Sequence, residues 1–381
     1  MDRANNLTML KSLKKVYEEI SDDNMRWNYY ENNSLTLNGA WRCKDSANHF
    51  IHEYFKSGGK NVFCLDSPII NLGQKHERDI HTVSLYILGI YLCENLNWDT
   101  KENLCQRKFL FQWYLTCLYH DMGYKIEENT ELVDTYETLD NFIKCQGIDG
   151  EKNLFKYCKI KELCKNYYKY IRDNMGHIDH GITGGLILYK KLIETYNNAK
   201  NERQSSEKSF TDVNGLYFSP KLFSDYRKAA ESIVKHNMWY IREDDSKEKI
   251  QVYKKYHLEE LITKVDSRKV SLNSNFLLTL LGIADAIEPT KIYSCMQPEY
   301  VLEKIEIGVN GNSIVIGMDK KQLKREPLLR NCKSLMDWLD VLCVEDDDYI
   351  KINFCDNTKK EEPMEIDANE IFDFLETKEQ V

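Results

Sequence analysis

FLFQWYLTCLYHDMG, residues Phe109 to Gly123, is the stretch on which the reading of this chain turns. From Phe109 to Tyr119 it is almost wholly apolar, as a buried helix would be. His120 and Asp121 close the run, and Met122-Gly123 follow at once, so the pair sits at a helix end where the backbone can turn and both side chains can face one point. An imidazole beside a carboxylate suits a borderline metal ion. The dipeptide alone says little, since about 0.6 such pairs arise by chance in a chain of this composition. Its surroundings carry the weight.

Upstream, His81 opens a helix whose same-face neighbours are Ser84, Leu85, Leu88 and Leu92, so the ring points at the core. Downstream, His180 starts the helix Gly181 to Tyr196, where Gly184 and Gly185 permit close helix packing. His177 stands one turn earlier, and the spacing by itself leaves either histidine able to serve as a ligand. His236 ends a run in which Ala229, Ser232 and Ile233 share its face, leaving room for an ion and a ligand. Asp285 follows Leu278, Leu281 and Gly282 on a buried face, and a buried carboxylate needs a cation or a basic partner. Three helix-borne histidines, a His-Asp pair and a buried Asp together point to a metal site.

The chain has 381 residues, 42% hydrophobic and 30% charged, with a net charge of -9. These values describe a large core with a solvated surface, and an overall field that repels a phosphate backbone while leaving a small phosphorylated ligand as the easier partner. Nucleic acid is not the expected partner. The 12 cysteines are scattered without a Cys-x-x-Cys pair and read as reduced thiols. Met1 to Lys15 lacks the apolar core of a secretory signal, and no segment has the length of a membrane helix, so a cytoplasmic protein with no membrane association is expected.

Residues 1–75 read as a mostly helical lead-in, with apolar spacing at Leu10, Leu13, Val16 and Ile20 and an Asn-rich stretch from Asn28 to Asn38. Residues 76–296 read as one large all-helical domain, in which Asn197 to Ser209 is polar enough to be a loop. Residues 297–381 change texture to a small α+β appendage. There Ile305, Ile307 and Val309 alternate, Asn310-Gly311-Asn312 supplies a hairpin turn, Cys332 to Val344 forms a helix, Tyr349 to Phe354 forms a strand, and an acidic tail follows. The fold class is therefore mainly α.

The order His81, His120-Asp121, His180, His236, Asp285 resembles the H…HD…H…H…D signature of the HD superfamily of metal-dependent phosphohydrolases, over residues 76–296. Arg78-Asp79-Ile80-His81-Thr82-Val83, Leu118 to Gly123 and Gly282-Ile283-Ala284-Asp285 are similar locally. The resemblance implies a first metal held by His81, His120, Asp121 and Asp285, and a second by His180 and His236 with Asp121 bridging. His120 and Asp121 are then also the catalytic pair. Imidazoles outnumber carboxylates, which favours iron or manganese over magnesium, with nickel, cobalt and zinc as alternatives. Many members continue as His-Asp-x-Gly-Lys, whereas here Tyr124 follows Gly123 and the lysine arrives at Lys125. Tyr124, Lys125, Arg78 and His177 are candidate substrate contacts, against the plainer roles of helix-end packing for Tyr124 and a surface ion pair for Arg78.

The expected activity is hydrolysis of a phosphate ester, of a nucleotide or nucleotide-derived signal, by a metal-activated water. Two alternatives differ in class. A single-strand nuclease would need a basic groove, for which only Lys156 to Lys169 offers material, and a solvated helix face explains that stretch. A non-catalytic nucleotide-sensing module would keep the fold without the chemistry.

Overall fold

The computed structural model describes residues 7–21, 27–29, 33–35, 76–96, 108–204, 220–264, 272–311, 313–318, 323, 326–342 and 351–356. Its body is helical. The principal helices are α1 (Met9–Ser21), α2 (His76–Asn95), α3 (Lys108–Tyr119), α4 (Lys161–Met175), α5 (His180–Gln204), α6 (Pro220–His236) and α7 (Leu272–Ile287), the last kinked at Asn275. After them come α8 (Pro298–Lys304) and α9 (Glu326–Leu342).

Helices α2, α3, α5, α6 and α7 pack around one core. The large side chains that fill it include Tyr86, Trp113, Tyr119, Tyr189 and Tyr226. Trp113 lies over Gly89 of α2, where any side chain would collide with the indole, and its Nε1 donates to the Tyr86 carbonyl at 2.9 Å. A large ring is thus buried with its one polar atom satisfied. Helix α5 is capped by Asp179, whose Oδ1 accepts from the Ile182 N–H at 2.7 Å, so an N-cap aspartate fixes where His180 stands. No helix among the described residues is long and apolar enough to cross a membrane.

The strands are β1 (Leu7–Thr8), β2 (Trp27–Tyr29), β3 (Asn33–Leu35), β4 (Ile241–Arg242), β5 (Ile262–Thr263), β6 (Ile305–Asn310), β7 (Ser313–Met318) and β8 (Lys351–Asp356), and the appendage is a four-stranded sheet in the order β1-β6-β7-β8. Strands β6 (Ile305–Asn310) and β7 (Ser313–Met318) form the expected hairpin, with Gly311 at φ 59° in the turn. Strand β8 (Lys351–Asp356) pairs parallel to β7. The other edge is β1 (Leu7–Thr8), antiparallel to β6. The N-terminus therefore belongs to the same sheet as the appendage, which a two-residue strand gives no periodicity to reveal.

Four further expectations are corrected. The Asn-rich stretch carries a small hairpin, β2 (Trp27–Tyr29) with β3 (Asn33–Leu35), where a helical lead-in was expected. Residues 197–204 continue α5, because intrinsic helix propensity in a run already nucleated needs no apolar periodicity. Helix α2 starts at His76, so His81 lies in its second turn rather than opening it. The C-terminal helix begins at Glu326, six residues before Cys332, with Pro327 in the first turn, where a missing N–H costs nothing.

Candidate metal centre

Five segments each deliver one part of the site. Helix α2 carries His81, a short 3-10 turn (His120–Gly123) at the end of α3 carries His120 and Asp121, α5 begins with His180, α6 ends with His236, and α7 carries Asp285. Glycines set how near these segments come. A methyl group on Gly123 would run into the His180 carbonyl, and one on Gly185 would lie 2.7 Å from the Ala230 carbonyl. One on Gly181 would press on the His236 ring at 3.1 Å. The α5–α6 and α5–turn contacts are backbone contacts, and they bring His180 and His236 onto Asp121.

All four imidazoles are held the same way. The Nδ1 of His81 donates to Glu288 Oε2 at 2.5 Å and that of His180 to Glu127 Oε2 at 2.6 Å. The Nδ1 of His120 donates to the Cys117 carbonyl at 2.7 Å and that of His236 to the Ile233 carbonyl at 2.6 Å. In a neutral ring this places the proton on Nδ1 and leaves Nε2 as a bare lone pair. Those four Nε2 atoms face one another and two carboxylates. His180 Nε2 and His236 Nε2 are 3.3 Å apart. His81 Nε2 is 3.0 Å from Asp285 Oδ1, and His120 Nε2 is 3.0 Å from Asp121 Oδ1 and 3.5 Å from Asp285 Oδ1. His120 Nε2 is fully buried without a hydrogen-bond partner. Lone pairs directed at lone pairs repel unless a proton or a cation lies between them, so the donor set fits a metal.

Two ligand groups follow, His81 with His120 and Asp121, and Asp121 with His180 and His236, each with its donor atoms within 4.8 Å of one another. Asp121 belongs to both. Each group has one histidine backed by a carboxylate and one backed by a peptide carbonyl. The clustered His/His/Asp and Asp/His/His sets are consistent with an HD-type metal-dependent site able to coordinate one or two divalent ions.

The electrostatics point the same way. Burial opposes ionisation of Asp121, yet His120, His81 and Lys291 around it hold its carboxyl well below the usual range. Burial likewise opposes ionisation of Asp285, and Lys291, His120 and His81 outweigh it. Burial, then the charges of His180 and His120, pushes His236 down to about 3, so it is a neutral ligand throughout the physiological range. Burial also disfavours the His120 cation, but Asp121 and Asp285 raise it to about 9.

Asp121, His180, His236 and Asp285 line a cavity of about 290 Å³. Of the expected substrate contacts, Tyr124 lines it and stacks on His180, with ring centroids 3.9 Å apart. Lys125 is exposed and is not part of the wall, so the displaced lysine does not reach the site. His177 lies outside the ligand groups, 3.9 Å from the Glu127 carboxylate with its side chain 36% exposed, while His180 is the one that joins His236. The side chains of Arg78 and His76, and both His49 and His52, lie outside the described residues. His257 is exposed.

Three charged residues were missed by the sequence reading. Glu288 is wholly buried and Glu127 half-buried, and each orients a histidine. Lys291 donates from Nζ to Asp285 Oδ1 at 2.5 Å and lines the cavity. Glu288, three residues after Asp285 at an apolar helix end, had a readable signal. Lys291 lies beyond Pro289 in an irregular turn and had none.

No family model, curated protein or solved structure matches the chain. Its function is therefore read from the geometry of the site.

Proposed function

We propose that this protein is a metal-dependent phosphohydrolase acting on a phosphate ester, of a nucleotide or nucleotide-derived signal. The observation that carries the reading is the convergence of four Nε2 atoms on two carboxylates, with Asp121 shared between the two groups. His81, His120, Asp121 and Asp285 would hold one ion, and His180, His236 and Asp121 the other. When bound, such ions supply Lewis acidity, which lowers the pKa of a water and neutralises charge developing on phosphoryl oxygens.

The chain's own residues do the rest. Asp121 supplies the negative charge that lets two cations approach. Glu127 and Glu288 fix the rings of His180 and His81, so ligand geometry is set before any ion arrives. Lys291 presents an ammonium group to the same cavity, as a phosphoryl oxygen requires. Small size of the cavity favours a small ester over a polynucleotide, and the acidic surface favours it too.

A phosphohydrolase screen over nucleotides and simple phosphoesters, run on metal-loaded and chelator-stripped protein, tests this. Turnover that disappears on stripping and returns with iron or manganese supports it. Turnover that survives exhaustive metal removal would place the chemistry elsewhere in the chain.

A further inference from the structure

The cavity lining holds two kinds of residue. Asp121, His180, His236, Asp285 and Lys291 are the ionisable groups of the metal centre, with Tyr124 stacked on His180. Beyond Gly282 and Ala286, the rest of the wall is neutral: Asn237 and Trp239, which follow α6, and Asn331, Ser334 and Leu335 on α9. Resting on the phosphohydrolase reading, we infer that this neutral set is a nucleobase subsite and that the appendage helix α9 selects the substrate.

Two features of this wall call for a ligand. Trp239 keeps 43% of its surface exposed in a protein that buries Trp113 completely. Its backbone is nevertheless fixed, since Trp239 N–H donates to the Tyr167 hydroxyl at 3.2 Å and its carbonyl accepts from the Tyr253 hydroxyl at 3.0 Å. The same Tyr167 hydroxyl donates to the Asn237 carbonyl at 2.7 Å, and the Asn237 amide donates to Asp179 Oδ2 at 2.7 Å. An exposed indole on a pinned backbone is a preorganised stacking platform.

The second feature is the polarity of α9. Among its described residues, Leu328, Leu329, Cys332 and Leu335 are buried, one or three positions apart. Asn331 and Ser334, at i and i+3 beside them, line the cavity with an amide and a hydroxyl. An amide can donate and accept at once, which matches the edge of a base rather than an anion. A ligand with a phosphoryl group at one end and a flat, neutral, hydrogen-bonding ring at the other satisfies both kinds of lining residue. A simple inorganic phosphate satisfies only one.

The experiment compares the four common nucleoside 5′-monophosphates with ribose 5-phosphate, in the wild type, Trp239→Ala and Asn331→Ala, with metal content measured on each. Trp239→Ala should raise KM for the preferred nucleotide by about tenfold or more, the scale of a lost stacking contact. Its kcat, its metal content and its kcat/KM for ribose 5-phosphate should stay within about threefold. Asn331→Ala should change the order of preference among the bases. Equal losses on ribose 5-phosphate and nucleotides, or no loss on either, would overturn the inference while leaving the hydrolase reading intact. If the wild type hydrolyses none of these esters, the four unphosphorylated nucleosides titrated by calorimetry decide the matter. Binding lost in Trp239→Ala supports the subsite alone, and no binding to the wild type refutes it.

Discussion

Replacing Glu288 by glutamine isolates what the carboxylate behind His81 contributes. Oε2 of Glu288 accepts from His81 Nδ1 at 2.5 Å, from the Thr290 N–H at 3.1 Å and from the Thr290 hydroxyl at 2.8 Å, while Oε1 accepts from the Ser84 hydroxyl at 2.8 Å. All four residues are buried. Glutamine has the same shape: its amide oxygen can keep the three donors on Oε2, and the Ser84 hydroxyl can rotate to accept from the new NH2. The Ser84 hydroxyl hydrogen and the second amide hydrogen then lack an acceptor at residue 288, so stability should fall by about 1–3 kcal/mol. What disappears is the negative charge that makes His81 Nε2 a stronger ligand. Partners of this kind are worth about 10–100-fold in metal affinity, or about 1.4–2.7 kcal/mol. Alanine is a poorer probe, because it leaves up to four buried donors unpaired at about 1–3 kcal/mol each and threatens the fold. Calorimetric titration of metal-free wild type and Glu288→Gln with Mn²⁺, beside thermal melts of both, separates affinity from stability. Equal affinity in the two proteins, or a loss that merely tracks a collapsed melting temperature, would refute the positioning role.

Other perturbations have equally definite outcomes. Asp121→Asn keeps the volume of the shared ligand but removes its charge, and turnover on the best ester should fall by at least ~100-fold. Lys125→Ala, on an exposed residue outside the cavity, should stay near wild type in the same assay. Gly123→Ala forces a methyl onto the His180 carbonyl, so it should cost about 1–3 kcal/mol by chemical denaturation and weaken metal binding as α5 moves off the turn. His120, raised to about 9, is protonated at pH 7.5 in metal-free protein and must lose that proton to become a ligand. Metal loading at pH 7.5 should therefore release protons into weak buffer, and affinity should rise with pH before levelling above about 9.

Much of the fold was legible because its signals are local. Helices α2, α3, α6 and α7 come from apolar runs with period 3.6, and the β6–β7 hairpin from alternation flanking Asn310-Gly311-Asn312. What escaped depends on partners distant in the chain. Thr8 is a strand residue only because Glu306 lies opposite it, and residues 197–204 are helical because α5 is already established. The site divides similarly. Residues whose type and helix position both speak, such as His120-Asp121 and His236, could be named from the sequence. Glu127 could not: it becomes visible only when Gly123, packed on the His180 backbone, brings the turn after α3 against α5. Trp239, Asn331 and Ser334 come to line one cavity only because α9 packs against α7 and the strand Ile241–Arg242.

The most direct measurement is the metal content of protein purified without chelator, taken together with that of His120→Ala and His236→Ala. Two ions per chain are expected in the wild type, one in His236→Ala because only the second ligand group is broken, and a sharp loss from the first group in His120→Ala. A wild type with no bound metal, or a His120→Ala variant that retains its full complement, would contradict the metal centre described above.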